Sequence, residues 1–164
     1  EEMLKIAREV KPDTVSLVPE SPDEITTQGG LEVISQKSHL TSYIQELKKV
    51  GIRVSIFVDP LENQIKACQE AGANLIAINT GKYAEAQTEE ERQANLEEVR
   101  QAVAFACRLG LQVHAGHGLD YHNVQPIVDI KEISELSIGF AIVARAVMVG
   151  LTQAVREMLE LLQK

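Results

Sequence analysis

A junction of helix, glycine and strand recurs three times along this chain and limits the folds that are open to it. The junction stands at positions 50–54, 71–75 and 109–113. Glycine ends a helix readily because it adopts positive φ without a Cβ penalty, and each junction leads into a short apolar run. Three such junctions predict a repeat of strand and helix units.

Five segments are short and mostly apolar on both faces, which is typical of strands in a covered parallel sheet. They are residues 14–18, 53–58, 74–78, 111–115 and 137–143. Asp59 with Pro60 predicts the start of one helix, and Thr88 with Glu91 predicts a capping box at the start of another. The length of 164 residues suits one core, so we expect a single domain over 1–164.

The five units fit either a doubly wound open sheet or part of an eight-stranded barrel, and periodicity does not separate these folds. Two features favour the barrel. No G-x-G-x-x-G follows any predicted strand, and the glycine-rich turns come after the last two strands, where barrels commonly bind phosphate. The sequence therefore favours an α/β fold of the parallel β/α-barrel type.

Charge and hydropathy exclude two classes of partner. The formal net charge is −8 and no run of Lys or Arg forms a basic stripe, so nucleic acid is not expected to bind. No apolar run approaches the ~18 residues that span a bilayer. The net charge does not exclude a small phosphate ester as a ligand, because backbone amides at a helix N-terminus bind phosphate whatever the charge of the whole protein.

The cysteines indicate the compartment. Cys68 and Cys107 lie far apart, each within a helical pattern and without a C-x-x-C motif. In the long helix after Thr88, an apolar stripe of Leu96, Val99, Val103 and Cys107 is expected to face the sheet. The sequence thus predicts buried, reduced thiols and a cytoplasmic protein.

His117 is the residue best suited to acid or base chemistry. It stands between Gly116 and Gly118 at the end of a predicted strand, and its side chain titrates near neutral pH, so it could donate or accept a proton. A capping or core histidine in a turn would give the same pattern. A metal site of His114, His117 and His122 is not expected, because these side chains need not converge and no cysteine completes a familiar spacing. His39 is expected to face solvent.

Three further loops follow predicted strands. Residues 138–146 join the last strand to a helix rich in small residues, which suits either close approach of amides to a phosphate or tight packing. The turn 26–30 offers hydroxyls and free amides, and residues 79–84 end the third strand similarly. An ordinary polar loop would look the same.

Taken together, these stretches resemble the signature motifs of the pyridoxine 5'-phosphate synthase family. The motifs are LVPE at 17–20, EITTQGGL at 24–31, NTGKYA at 79–84, AGHGLDYHNV at 115–124 and ARAV at 144–147. They occur in the family's order and extend over nearly the whole chain, which makes the set far more specific than any single motif.

The resemblance implies a cytoplasmic transferase with a β/α-barrel fold, assembled as a homo-octamer. Such an enzyme condenses 1-deoxy-D-xylulose 5-phosphate with 3-amino-2-oxopropyl phosphate to pyridoxine 5'-phosphate, phosphate and water, without a metal ion or organic cofactor. By the same resemblance, His117 is the proton donor. Thr26 and Gly118 bind substrate, and the backbone of Gly139 and Phe140 holds a phosphate group.

The chain departs from the family's pattern at the rim. Ala77 stands where the family usually has a glutamate thought to stabilise the transition state. Asn79 and Phe140 stand where histidines are common, and His114 where an asparagine is common. An alanine supplies no charge stabilisation, and losing such a group costs about 10² or more in rate.

The resemblance also implies that the family's first three strands, with two general bases, lie outside this sequence. We therefore expect an N-terminally incomplete barrel with about five of eight strands, which alone would be inactive and poorly stable. Two other functions stay open. One is a non-catalytic phosphate-binding or assembly paralogue, and the other is a different phosphosugar isomerase or aldolase, for which we find no placed Schiff-base lysine.

Overall fold

The computed structural model describes residues 2–19 and 29–163. Within these ranges the strands are β1 Thr14–Leu17, β2 Arg53–Val58, β3 Leu75–Asn79, β4 Gln112–Gly116 and β5 Ile133–Ser137. The helices are α1 Glu2–Val10, α2 Val33–Lys48, α3 Glu62–Glu70, α4 Gly81–Glu85, α5 Glu89–Arg108, α6 Gln125–Val128, α7 Phe140–Val149 and α8 Leu151–Leu162.

The described strands form one sheet in the order β1-β2-β3-β4-β5, and every neighbouring pair is parallel. A doubly wound sheet reverses its strand order at a switch point, whereas a β/α barrel adds each strand beside the one before it. The sequential order therefore decides between the two predicted folds, and the arrangement is that of part of a β/α barrel.

One face of the sheet carries the main core. Buried side chains from β2, β3 and β4 pack there against α2, α3 and α5; they include Val54, Ile56, Val58, Ile76, Ile78, Val113 and Ala115. Because side chains alternate along a strand, the residues between these point to the opposite face, which we call the inner face. Phe57, Ala77 and His114 occupy one row of the inner face, since Phe57 pairs with Ala77 and Ala77 with His114.

The positions of four strands agree closely with the prediction, but the last strand was placed wrongly. β5 occupies Ile133–Ser137, and the segment predicted as strand, 137–143, instead runs through Gly139 into α7. The segment 140–149 is apolar throughout except for Arg145, and α7 has no buried residue. An apolar run without alternation does not distinguish a strand from a helix, which explains the error.

Two helix starts test the predicted caps. The capping box of Thr88 and Glu91 is confirmed: the Thr88 side chain accepts from the Glu91 amide, and Glu91 accepts from the Thr88 amide. The start predicted at Asp59 is wrong, because α3 begins at Glu62 with Leu61 as its N-cap. The Asp59 carboxylate has other partners, described below.

The cysteine prediction holds for one residue only. Cys68 is buried in the core, but Cys107 is exposed, and Ala106 takes its place in the buried stripe of α5. Leu96, Val99 and Val103 face the core as predicted. His39 is exposed on α2, also as predicted. Among the described helices, none is long and apolar enough to cross a membrane.

The two thiols should differ in reactivity. Burial raises the pKa of Cys68 to about 12, and partial burial with the nearby Glu132 carboxylate raises the pKa of Cys107 above its ordinary value. Since the thiolate is the reactive form, Ellman's reagent should modify Cys107 alone in the native protein, slowly at neutral pH and faster in alkaline buffer. Cys68 should react only after unfolding. Labelling of native Cys107→Ser protein would contradict this assignment.

Candidate functional site

The loops that follow the strands meet at one rim of the sheet. Gly116 at the end of β4 pairs with Ser137 at the end of β5. His117 is the next residue after β4, and Gly139 lies two residues after β5. Because carboxyl ends of parallel strands share an edge, His117 and Gly139 lie on the same rim, where barrel enzymes place their active sites.

His117 has an unusual backbone. Its φ is +87°, and Gly118 follows with φ of +72°. Positive φ is uncommon for a residue with a Cβ atom, and such residues persist where the surrounding structure holds them. Gly118 has a further reason to be glycine, because a Cβ there would lie 2.5 Å from the Cβ of Ala84.

Thr80 holds this loop from the end of β3. Its hydroxyl lies 2.8 Å from the Gly116 carbonyl oxygen and 2.7 Å from that of His117. The Thr80 amide also donates to the Gly116 oxygen at 2.9 Å. Thr80 is fully buried, and its amide hydrogen bond together with the single hydroxyl proton shared between these two oxygens fixes the turn on which the imidazole stands.

The far side of the loop is fixed by Asn123. Its side chain donates to the Gly118 carbonyl at 3.0 Å and accepts from the Asp120 amide at 2.8 Å. The Asn123 carbonyl accepts from the hydroxyl of Tyr83 on α4 at 2.6 Å. Burial raises the pKa of Tyr83, so its phenol stays protonated as a donor.

The imidazole of His117 leans toward β2 and α4. Its ring centroid lies 6.5 Å from that of Phe57, and its Nε2 lies 4.0 Å from a carboxylate oxygen of Glu85. The second distance is too long for a hydrogen bond. A Cβ at Gly81 would stand 2.7 Å from the ring Cδ2, so the ring occupies the space that this glycine leaves.

The carboxylate of Asp59, which the sequence predicts to be at a helix start, lies at the rim. Asp59 Oδ1 accepts from the Gly30 amide and from the Asn79 side chain, both at 2.9 Å. The Asn79 side-chain oxygen accepts from the Gly81 amide at 2.9 Å. Asp59 thereby joins the segments that follow β1 and β2 to the end of β3. The signal in the sequence was its position directly after β2.

The other predicted residues are less enclosed. Gly139 is the N-cap of α7 without a side-chain cap, and a Cβ at Gly139 would meet nothing within 4 Å. The first amides of α7 have no intrahelical partner and are open to a ligand. Phe140 is 91% exposed, so its ring is not packed. Thr26 lies outside the described residues.

Clusters and cavities elsewhere add little to the site. Among the described residues, no three metal-binding side chains come together, and His122 is exposed. A cavity of about 160 Å³ lies at β5, α6 and α8, and one of about 490 Å³ lies between α1 and Val50. Neither contains His117 or Gly139.

A family model described as pyridoxal phosphate biosynthesis protein PdxJ matches residues 1–164. The chain belongs to this family. The pyridoxine 5'-phosphate synthase of Synechococcus sp. (strain CC9605) is 50% identical over 163 residues, which are 99% of this chain and 65% of the relative. The protein of the same name from Coxiella burnetii (strain Dugway 5J108-111) is 49% identical over 158 residues, 96% of this chain and 66% of the relative. The chain thus spans slightly less than two thirds of these relatives.

A solved protein described as "Native KDPGal structure" shares the fold with a TM-score of 0.61. It is 13% identical, and the match covers 99% of this chain and 66% of that one. Such low identity bears on the fold alone. Together with the family, the sequential parallel sheet confirms the α/β-barrel class that the sequence predicted.

Removing the Thr80 hydroxyl should loosen the loop that carries the proposed acid of this PdxJ family member. Thr80→Val keeps the shape but leaves the His117 carbonyl without its donor, so unfolding free energy should fall by about 1–3 kcal/mol. Thr80→Ser should keep most of the stability. Urea denaturation measures both, and Thr41→Val, which removes a hydroxyl whose bond on α2 is exposed, is the control that should change little. Equal stabilities of the Thr80→Val and Thr80→Ser proteins would refute the role of the hydroxyl.

Adding one methyl group at Gly81 should displace the His117 ring without unfolding the protein. The added Cβ would lie 2.7 Å from the His117 ring and 3.0 Å from the Asn79 side-chain oxygen, so Gly81→Ala should lower the free energy of unfolding by about 1–3 kcal/mol. The His117 ring signals in NMR spectra should shift strongly, while those of exposed His39 stay in place. Unchanged His117 signals in a folded variant would show that the ring does not occupy this space.

Proposed function

We propose that the protein containing this chain is a pyridoxine 5'-phosphate synthase, a transferase. It would condense 1-deoxy-D-xylulose 5-phosphate with 3-amino-2-oxopropyl phosphate to pyridoxine 5'-phosphate, phosphate and water. The observation that carries the proposal is the strained His117 turn, which lies on the same rim as the open N-terminus of α7. Membership of the PdxJ family supports it.

In this proposal His117 is the proton donor. Condensing an amine with a ketone and closing a ring expel hydroxyl groups as water, and each departure is easier when an acid protonates the leaving oxygen. The bonds from Thr80 to the loop keep the imidazole at one place on the rim. Glu85 places a carboxylate oxygen 4.0 Å from the Nε2 of His117.

The phosphate groups of the substrates would bind through backbone amides. Gly139 and Phe140 open α7, a ten-residue helix whose first amides carry partial positive charge. The absence of a Cβ at Gly139 lets an oxygen approach closely, and Phe140 would contribute its amide rather than its ring. Gly118, with positive φ, would bind substrate beside His117. Thr26 keeps its proposed substrate-binding role, although it lies outside the described residues.

The remaining expectations concern assembly and location. Large apolar side chains are exposed along α7 and α8; they are Phe140, Val143, Val147, Met148, Leu151, Val155 and Leu159. An exposed apolar surface of this extent is typical of a contact site, which supports a homo-oligomer, an octamer by resemblance to the family. We also propose a cytoplasmic location, no metal ion and no organic cofactor, and neither nucleic acid nor membrane as a partner.

One observation favours a second candidate, a non-catalytic phosphate-binding paralogue. Ala77 lies in the inner-face row between Phe57 and His114, so β3 contributes no carboxylate to that row. A protein of this kind would bind a phosphorylated ketone, such as 1-deoxy-D-xylulose 5-phosphate, tightly and release it unchanged.

Turnover by the complete gene product separates the two candidates. With both substrates, the parent protein should form pyridoxine 5'-phosphate, and His117→Asn should reduce kcat by about 10²–10⁴. Asparagine is chosen because it tolerates positive φ, so the loop should keep its shape. His39→Asn is the matched control, since His39 is exposed on α2, and this variant should keep full activity. Folded parent protein that binds phosphosugar without turnover would favour the paralogue.

A further inference from the structure

His114 presents a buried imidazole nitrogen that nothing among the described residues satisfies. The residue is 8% exposed, and its Nε2 has no hydrogen-bond partner. The only other buried side-chain atom in this condition within the described residues is Ser55 Oγ. Ser55 lies two residues before Phe57 on β2 and therefore points to the same inner face as His114.

Such atoms are costly in a folded protein. Leaving a buried donor or acceptor without a partner costs about 1–3 kcal/mol, and most buried polar groups are therefore bonded. Two unpartnered polar atoms on one face suit a polar partner at that face. Ala77, the partner of His114 on β3, carries only a methyl group and does not fill the row with a bulky side chain.

Glu135 lies on the Nδ1 side of the His114 ring. The two residues pair across β4 and β5, and the Nδ1 of His114 lies 3.7 Å from a carboxylate oxygen of Glu135. In the tautomer that carries its proton on Nδ1, facing this carboxylate, the Nε2 is a hydrogen-bond acceptor. The free nitrogen thus suits a ligand group that donates a hydrogen bond.

We propose that His114 binds substrate on the inner face, where its Nε2 accepts a hydrogen bond from a hydroxyl or amino group of a phosphorylated ketone. His114 is two residues before the end of β4, roughly 7 Å below the rim at the rise of a strand. A small phosphosugar held by its phosphate at the rim reaches that depth. Glu135 is a positioning residue that keeps the Nε2 lone pair available. The substrate class rests on the proposed function.

Steady-state kinetics of the complete gene product test the proposal. His114→Phe keeps a planar ring and removes both nitrogens, so KM for one substrate should rise by about tenfold or more. A rise for 1-deoxy-D-xylulose 5-phosphate identifies a hydroxyl as the donor, and a rise for 3-amino-2-oxopropyl phosphate identifies the amine. His114→Gln retains an acceptor and should recover part of the loss. His39→Phe is the control, since His39 is exposed on α2, and this variant should not change either KM.

The role of Glu135 has its own measurement. In protein labelled with ¹⁵N-histidine, the ring nitrogens of His114 should show the Nδ1–H form, and Glu135→Gln should shift the spectrum toward the other tautomer.

If His114→Phe leaves both KM values within about twofold of the parent, well below the expected change, the proposal is wrong. If the parent itself shows no turnover, the proposed function fails instead. In that case, calorimetric titration with 1-deoxy-D-xylulose 5-phosphate, and separately with 3-amino-2-oxopropyl phosphate, tests the role of His114. A loss of affinity for one ligand in His114→Phe supports the proposal, and unchanged affinity for both contradicts it.

Discussion

Sequential parallel pairing is the constraint on which this molecule depends. Each described strand lies beside the one that precedes it in the chain, so all the connecting loops after the strands reach the same rim. Residues far apart in sequence, such as Asp59, Asn79 and His117, become neighbours because each follows or ends its own strand. The helices α2, α3 and α5 pack on one face of the sheet, and Phe57, Ala77 and His114 lie on the inner face.

The sequence predicted the elements better than the contacts. Glycine junctions and short apolar runs located four strands within a residue or two, because turn chemistry and burial are local properties. The fifth strand was misplaced because the helix 140–149 is apolar on almost every side, which is a pattern that a buried strand shares. Cys107 was expected to be buried from its spacing, but it lies just beyond the edge of the stripe that Ala106 completes.

The candidate site shows the same division. A histidine between two glycines was visible as an unusual residue, and its place on the rim follows from the strand that precedes it. The sequence could not show that Thr80 holds the His117 loop or that Asp59 binds Gly30, since these bonds cross 37 and 29 positions of sequence. The sequence contained only the hint that both residues stand at strand ends. Which partner each would meet depends on strand register, and register is a tertiary property.

Close packing around α4 has a mechanical consequence. There is room for only a hydrogen atom at Gly81 and Gly118, and the Tyr83 hydroxyl and the Asn95 side chain fasten α4 to its surroundings. A short helix so closely fitted cannot slide past the His117 loop; the two must travel together. The direction in which the imidazole points therefore depends on the position of α4.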